Sequence, residues 1–167
     1  MNDNENFALF KSKRAKVKKA WIDYNGHMNV AYYTLAFDKA IDEFLEKVLS
    51  IGPSFIKKSG QGSYALQTQY LYLRELLQNS TFEVSILVVD FTPKRMHLMA
   101  KMIESVDQEV CATCETIMVN VDLKERKSCQ YPSSVLKKLI NLYNAAERVR
   151  SKTLIGQPIG LRHHGKN

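Results

Sequence analysis

The sequence predicts an α+β fold in which a curled antiparallel sheet wraps one long central helix. Three observations lead there. An apolar stripe of helical period runs over about residues 30–50, and beyond residue 63 the period changes to two, through four long segments joined by short loops. A dense polar string, Asp23 to Asn29, sits where the first extended run meets the helix. A broad helical stripe needs a concave apolar surface to bury it, and a run of alternating strands provides one.

In chain order, residues 8–22 read as a strand with Val17 and Trp21 as its apolar anchors. The helix carries Tyr33, Phe37, Ala40, Ile41, Phe44, Leu45 and Val48 at three- and four-residue spacing, with Asp38, Lys39, Asp42, Glu43, Glu46 and Lys47 on the other face. Asn29 is a suitable N-cap, and Gly52-Pro53 marks the stop. A connector over 52–63 leads to strands over 64–73, 81–91, 96–106 and 110–121, read as an antiparallel meander. Pro132 opens a second helix over 133–147, bearing Val135, Leu136, Leu139, Ile140, Leu142 and Tyr143. One domain is expected over 1–147. A basic tail follows over 148–167, with a short apolar patch at Leu154-Ile155.

The 167 residues suit a single domain, and 45% hydrophobic with 25% charged residues suits a packed core. No apolar run approaches the ~18 residues a membrane span needs. The first six residues are polar and acidic, unlike a secretory signal, so a soluble cytoplasmic protein is expected. Cys111, Cys114 and Cys129 are an odd count, which argues against a disulfide framework. Cys111 and Cys114 lie three apart on a predicted strand, where side chains point to opposite faces, so no shared metal is expected.

The net charge is +7, and six of the nine residues from Lys11 to Lys19 are basic. Such a run is either a lysine-protected edge strand or a contact for phosphates. No aromatic residues alternate with it as a base-stacking platform would require, so nucleic acid is not an expected partner.

These elements, with Asp23-x-x-Gly26 between strand and helix, resemble the hotdog-fold thioesterases, over about Ala15 to Pro132. The short motif matches the 4-hydroxybenzoyl-CoA thioesterase-like group. The longer string, Asp23-x-Asn25-x-His27-x-Asn29-x-x-x-Tyr33, is similar to plant acyl-ACP thioesterases and their single-domain bacterial relatives. Phe37-Asp38-x-Ala40 and Thr113-Cys-Glu-Thr-Ile-Met118 fit the same pattern. Trp21 to Met28, Lys94-Arg95 and Val121-Asp122 look like the betainyl-CoA thioesterase subgroup. Two departures stand out. This chain holds one repeat where the plant enzymes hold two. Their Tyr-Arg-Arg-Glu-Cys motif meets Tyr72-Leu-Arg-Glu75-Leu76, which keeps the glutamate and lacks the cysteine.

The resemblance implies an acyl-CoA thioesterase acting on a small or medium acyl group carried by CoA or acyl carrier protein, without cofactor or metal. It also implies a homodimer or homotetramer whose partner strand near residues 67–70 completes the pocket. The basic run would meet the phosphates of CoA. Asp23, Asn25 and His27 become the catalytic set. Asp23 acts on the thioester carbonyl directly or as general base on water; the lesser alternative is a turn-former before the helix. Asn25 orients water or carboxylate, although Asn before Gly is also a turn pair. His27 bonds the Asp23 network or donates to the thioester oxygen. Gly26, Met28, Asn29 and Tyr33 are assigned to substrate binding. Gly26 allows close backbone approach, and free N–H groups near Met28 to Ala31 at the helix start offer an oxyanion site. Glu75 is a weaker candidate. Trp21, Tyr24 and Phe37 could box a quaternary ammonium acyl group. His97 has no obvious partner. The alternative to an enzyme is a non-catalytic acyl-CoA binding or sensor protein that keeps the pocket.

Overall fold

Asn29 starts the long helix as its spacing predicts. Its backbone is extended and its Oδ1 accepts the Ala31 N–H at 2.9 Å. In the computed structural model, which describes residues 10–150 and 155–159, helix α1 spans Val30–Phe44 and buries Tyr33, Ala36, Phe37, Ala40, Ile41 and Phe44 along one stripe. The chain then widens into a π-helical turn, Leu45–Leu49, and ends at Ser50 in the left-handed region. The sequence predicts a regular helix to residue 50. The wider turn shifts the register so that Leu45 and Leu49 both stay inside.

Among the described residues seven strands form one antiparallel sheet: β1 Phe10–Lys11, β2 Ala15–Lys16, β3 Gln61–Tyr72, β4 Thr81–Phe91, β5 Arg95–Glu104, β6 Val110–Asp122 and β7 Lys127–Ser128. Their order is β1-β4-β5-β6-β3, with β2 also on β4 and β7 on β6. The meander expected from the sequence holds for β4, β5 and β6. Strand β3 departs from it by pairing with β6 rather than β4, from Gln61↔Asp122 to Tyr72↔Ala112. The connector over 73–80 therefore crosses the end of the sheet. It is held there by the Leu73 and Arg74 amides on the Cys111 carbonyl and by the fully buried Leu76.

The single strand expected over 8–22 is also broken. Residues 8 and 9 lie outside the described residues. From Phe10 onward the pairing with β4 is interrupted at Ser12, whose Oγ accepts the Val84 N–H at 2.9 Å in place of a main-chain carbonyl. A 3-10 turn, Lys19–Trp21, then leads into the polar string. Within the basic run, Lys11 pairs with Glu83 at 3.0 Å, and Lys18 Nζ sits 5.7 Å from the centre of the Trp21 ring.

The concave face packs Phe82, Val84, Ile86 and Val88 of β4, and Met96, Leu98, Ala100 and Met102 of β5, around α1. Each large apolar side chain buried this way stabilises the fold by about 1.5–3 kcal/mol. The convex face carries a smaller cluster of Leu87, Val89, Met99 and Ala146, with Ile155 packed on it. Helix α2, Pro53–Ser59, occupies part of the predicted connector. It has Pro53 in its first turn, a left-handed Gly60 at its end and no buried residue, which left it without an apolar pattern. Helix α3 is Ser133–Ala145, followed by the short α4, Glu147–Arg150. Most of the expected basic tail, including Leu154, lies outside the described residues.

Cys111 and Cys114 correct a simpler expectation. Both side chains belong to the same core. The β5–β6 ladder slips between Met102↔Ala112 and Ile103↔Val110, so strict alternation fails at Cys111. Among the described residues no group of three or more His, Cys, Asp or Glu side chains is placed to hold a metal.

Candidate active site

The polar string folds into a tight loop ahead of α1. Asp23 N–H donates to the His27 carbonyl at 3.0 Å, and Gly26 N–H donates to the Asp23 carbonyl at 3.1 Å. Gly26 has φ of +87°, which suits glycine. The loop is fastened on both flanks. Met28 N–H donates to the Leu76 carbonyl at 2.8 Å, and Asn29 N–H to the Trp21 carbonyl at 2.9 Å.

Within the loop, Asp23 Oδ1 accepts the Asn25 backbone N–H at 2.8 Å, while Oδ2 faces His27 Nδ1 at 3.8 Å. The Asp23 side chain is 11% exposed and that of His27 35%, so the acid sits behind the imidazole. His27 Nδ1 is also 3.2 Å from the Met28 carbonyl. Asn25 reaches Asp23 through its main chain, and Asn25, like Gly26, stands on the exposed side of the loop.

A cleft of about 330 Å³ opens at the N-terminus of α1, lined by His27, Met28, Val30, Tyr33, Tyr72, Leu73, Arg74 and Glu75. The structure thus brings four of the sequence-derived candidates, His27, Met28, Tyr33 and Glu75, to one cavity. Asp23 stands beside it, behind His27. Asn29 serves as helix cap, and Asn25 and Gly26 lie off the cleft wall. Sequence reasoning did not find Tyr72, Arg74 or Val30. Tyr72 ends β3 and Arg74 follows it, in a stretch where the motif comparison points to Glu75 alone.

Of the four amides from Met28 to Ala31, three are committed: Met28 to Leu76, Asn29 to Trp21 and Ala31 to the Asn29 side chain. The Val30 N–H remains without an acceptor among the described residues, and Val30 lines the cleft. It is aligned with the positive end of the helix dipole.

The expected aromatic box does not form within the chain. Trp21 stacks on Tyr32 with ring centres 5.3 Å apart, Tyr24 is 96% exposed, and Phe37 is fully buried against Tyr70. A different aromatic group stands at the cleft. Tyr33 and Tyr72 meet edge to face at 5.3 Å, and Tyr70 stacks on Tyr72 at 6.4 Å. Burial raises the pKa of all three phenols, that of Tyr70 to about 12. Arg74 is hydrogen-bonded to Asp107 and also pairs with Glu109, which leaves Glu75 as an acid without a cationic partner among the described residues. His97, unassigned from sequence, bonds Glu115 through Nε2 at 2.8 Å on the other face of the sheet.

A curled antiparallel sheet around one buried helix, with an acid and an imidazole at that helix's N-terminus, is the hotdog fold carrying a polar site. The chain belongs to the thioesterase-like superfamily, whose family model matches residues 17–139. Among curated relatives it is 28% identical, over 87% of its length, to an L-carnitine dehydrogenase/betainyl-CoA thioesterase of Rhizobium meliloti (strain 1021), and it spans only 29% of that longer protein. A betainyl-CoA thioesterase of Pseudomonas aeruginosa (strain PAO1) is 25% identical over 84% of this chain and 88% of its own. Among solved structures, a Staphylococcus aureus protein in complex with CoA superposes with a TM-score of 0.80, covering 92% of this chain and 95% of that one at 22% identity. A 1,4-dihydroxy-2-naphthoyl-CoA thioesterase from Synechocystis gives 0.70 at 15% identity, covering 80% of this chain and 96% of that one.

Proposed function

We propose that the chain is an acyl-CoA thioesterase that hydrolyses a small or medium acyl thioester to a free acid and CoA. The observation that carries this reading is the meeting, at one cleft, of His27, with Asp23 behind it, and the uncommitted Val30 N–H. With the thioester carbonyl oxygen on the Val30 N–H, the carbonyl carbon is polarised by a fixed dipole that strengthens as the oxyanion forms. Asp23 then either attacks that carbon, forming a mixed anhydride that water hydrolyses, or takes a proton from a water that attacks it. His27 donates to the departing sulfur or steadies the carboxylate. The CoA thiol leaves, and one water is consumed per turnover.

The acyl group is proposed to carry a positive charge. The names of the relatives support this, and so does the cleft. Tyr33 and Tyr72 offer ring faces, Glu75 offers a carboxylate, and the nearby arginine is already matched by two acids. In a chain of net charge +7, such a locally acidic aromatic pocket is suited to a quaternary ammonium head.

The proposal extends to a homodimer built on β3. That strand is 12 residues long, pairs among the described residues only with β6, and shows Tyr64 and Leu66 at its surface. Pairing through this edge would cover it and bring the partner's strand to the cleft. A cytoplasmic location is proposed on the strength of three free cysteines, and no helix among the described residues is long and apolar enough to cross a membrane.

The test is a panel of acyl-CoAs assayed for free thiol, with Asp23→Asn beside the wild type. Turnover by the wild type and its loss in the variant are expected. Tight binding with no thiol release from any member would make the protein a sensor instead.

A further inference from the structure

We infer that Tyr33 is a hydrogen-bond donor to the bound substrate, placed by the Leu76 peptide, in addition to being part of the cleft wall. This rests on the thioesterase reading above.

Leu76 is hydrogen-bonded through both its main-chain groups. Its carbonyl accepts the Met28 N–H at 2.8 Å, and its N–H donates to the Tyr33 hydroxyl at 3.1 Å. Leu76 itself is 1% exposed. The two peptide units that flank the Leu76 Cα are therefore each held, one by the loop ahead of α1 and the other by α1 itself. That grip fixes the Leu73–Glu75 wall against His27 and also fixes the orientation of the Tyr33 hydroxyl.

A phenol hydroxyl has one proton to give and two lone pairs to receive with. The Leu76 N–H occupies a lone pair. No acceptor for the Tyr33 proton is present among the described residues. Tyr33 is only 4% exposed and lines the cleft, so its proton is directed into the space the substrate occupies. Tyr33 also follows Val30 by three residues, which puts the two on the same side of α1. The free Val30 N–H and the free Tyr33 O–H thus converge on one cavity from one helix face. An acyl carbonyl oxygen placed there receives two donors. Burial raises the phenol's pKa, so the proton stays in place through the neutral and mildly alkaline range.

Donation and support are separable because the same oxygen does both. A phenolate still accepts the Leu76 N–H but has nothing to donate. Replacing Tyr33 by 3,5-difluorotyrosine keeps its shape and brings its ionisation into the assay range. The kcat of this protein is expected to fall by about tenfold or more as the phenol ionises. A new descending limb in the alkaline pH profile would mark that loss, absent from the wild type, with KM changed far less. The circular dichroism melt is expected to match the wild type's at each pH across that limb. Tyr33→Phe is expected to lower kcat by a similar factor, and to move the carbonyl stretch of a bound, non-hydrolysed ketone analogue of the acyl-CoA to higher frequency. A pH profile that superimposes on the wild type's, or an unmoved carbonyl band, would leave Tyr33 a purely structural residue. If the wild type itself neither turns over acyl-CoA nor shifts the analogue's carbonyl band, the thioesterase reading fails rather than this one.

Discussion

The His27 imidazole stands 3.8 Å from the Asp23 carboxylate, too long for a hydrogen bond, while the other Asp23 oxygen is held at 2.8 Å by the Asn25 amide. The acid is anchored on one side, and its other oxygen faces the imidazole with too little space for a water to sit between them.

Asp23→Asn keeps an oxygen that can accept the Asn25 N–H, so the loop is expected to fold as before. The kcat for acyl-CoA hydrolysis should fall by at least about a hundredfold, with a melting temperature close to the wild type's. Single turnover in ¹⁸O-water separates the two roles of Asp23. Label entering the Asp23 carboxylate marks covalent attack, and label confined to the product acid marks a base.

Charge selection is measured with a matched pair of substrates. Betainyl-CoA and 3,3-dimethylbutyryl-CoA share one shape and differ by one positive charge. Betainyl-CoA is expected to have a kcat/KM higher by about tenfold, the scale of a partly desolvated cation–π contact. Tyr72→Ala should erase most of that ratio without equal loss on the neutral substrate. Equal rates for the pair would rule out the cationic pocket.

Alkaline pH is expected to destabilise the fold. Burial pushes the Cys114 thiol and the Tyr70 and Tyr131 phenols up to about 12. In the unfolded chain these groups ionise from about pH 8.5 for the thiol and about pH 10 for the phenols. Between those values and 12 the unfolded state loses protons that the folded state keeps, so stability falls as pH rises. Thermal melts should show a plateau below about pH 8 and a steady decline above it.

Asn29→Ala removes the cap on the Ala31 N–H and is expected to cost about 1 kcal/mol of stability in denaturant titration. Asn29→Asp should recover that loss.

Much of this was legible from the residues. The apolar stripe on α1 and the alternation in β4, β5 and β6 are direct consequences of periods 3.6 and 2, and both appear, save for the slip at Cys111. Strand β3 on the far side of β6 was not legible, since pairing partners follow from how a connector crosses the sheet and not from any local pattern. The break at Ser12 depends on one hydroxyl replacing a main-chain acceptor, and a serine in a strand gives no sign of it. At the site, proximity in sequence placed Asp23 near His27. The cleft wall came from residues 72–75, more than forty positions away, and only Glu75 among them carried a signal. The aromatic box failed because helical spacing put Phe37 on the buried stripe, where packing claims it.

The segment Ile155–Ile159 lies across the convex face. Ile155 packs beside Met99, the Gly156 amide donates to both Glu115 oxygens at 3.0 and 2.9 Å, and the Gln69 side chain donates to the Gln157 carbonyl at 2.7 Å. A ribosome still holds that segment in its tunnel when β3 to β6 have already emerged. Until the segment emerges, the cluster of Leu87, Val89, Met99 and Ala146 lacks the cover that Ile155 gives it, and a nascent chain stalled before residue 155 is a natural client for a chaperone that binds apolar sheet.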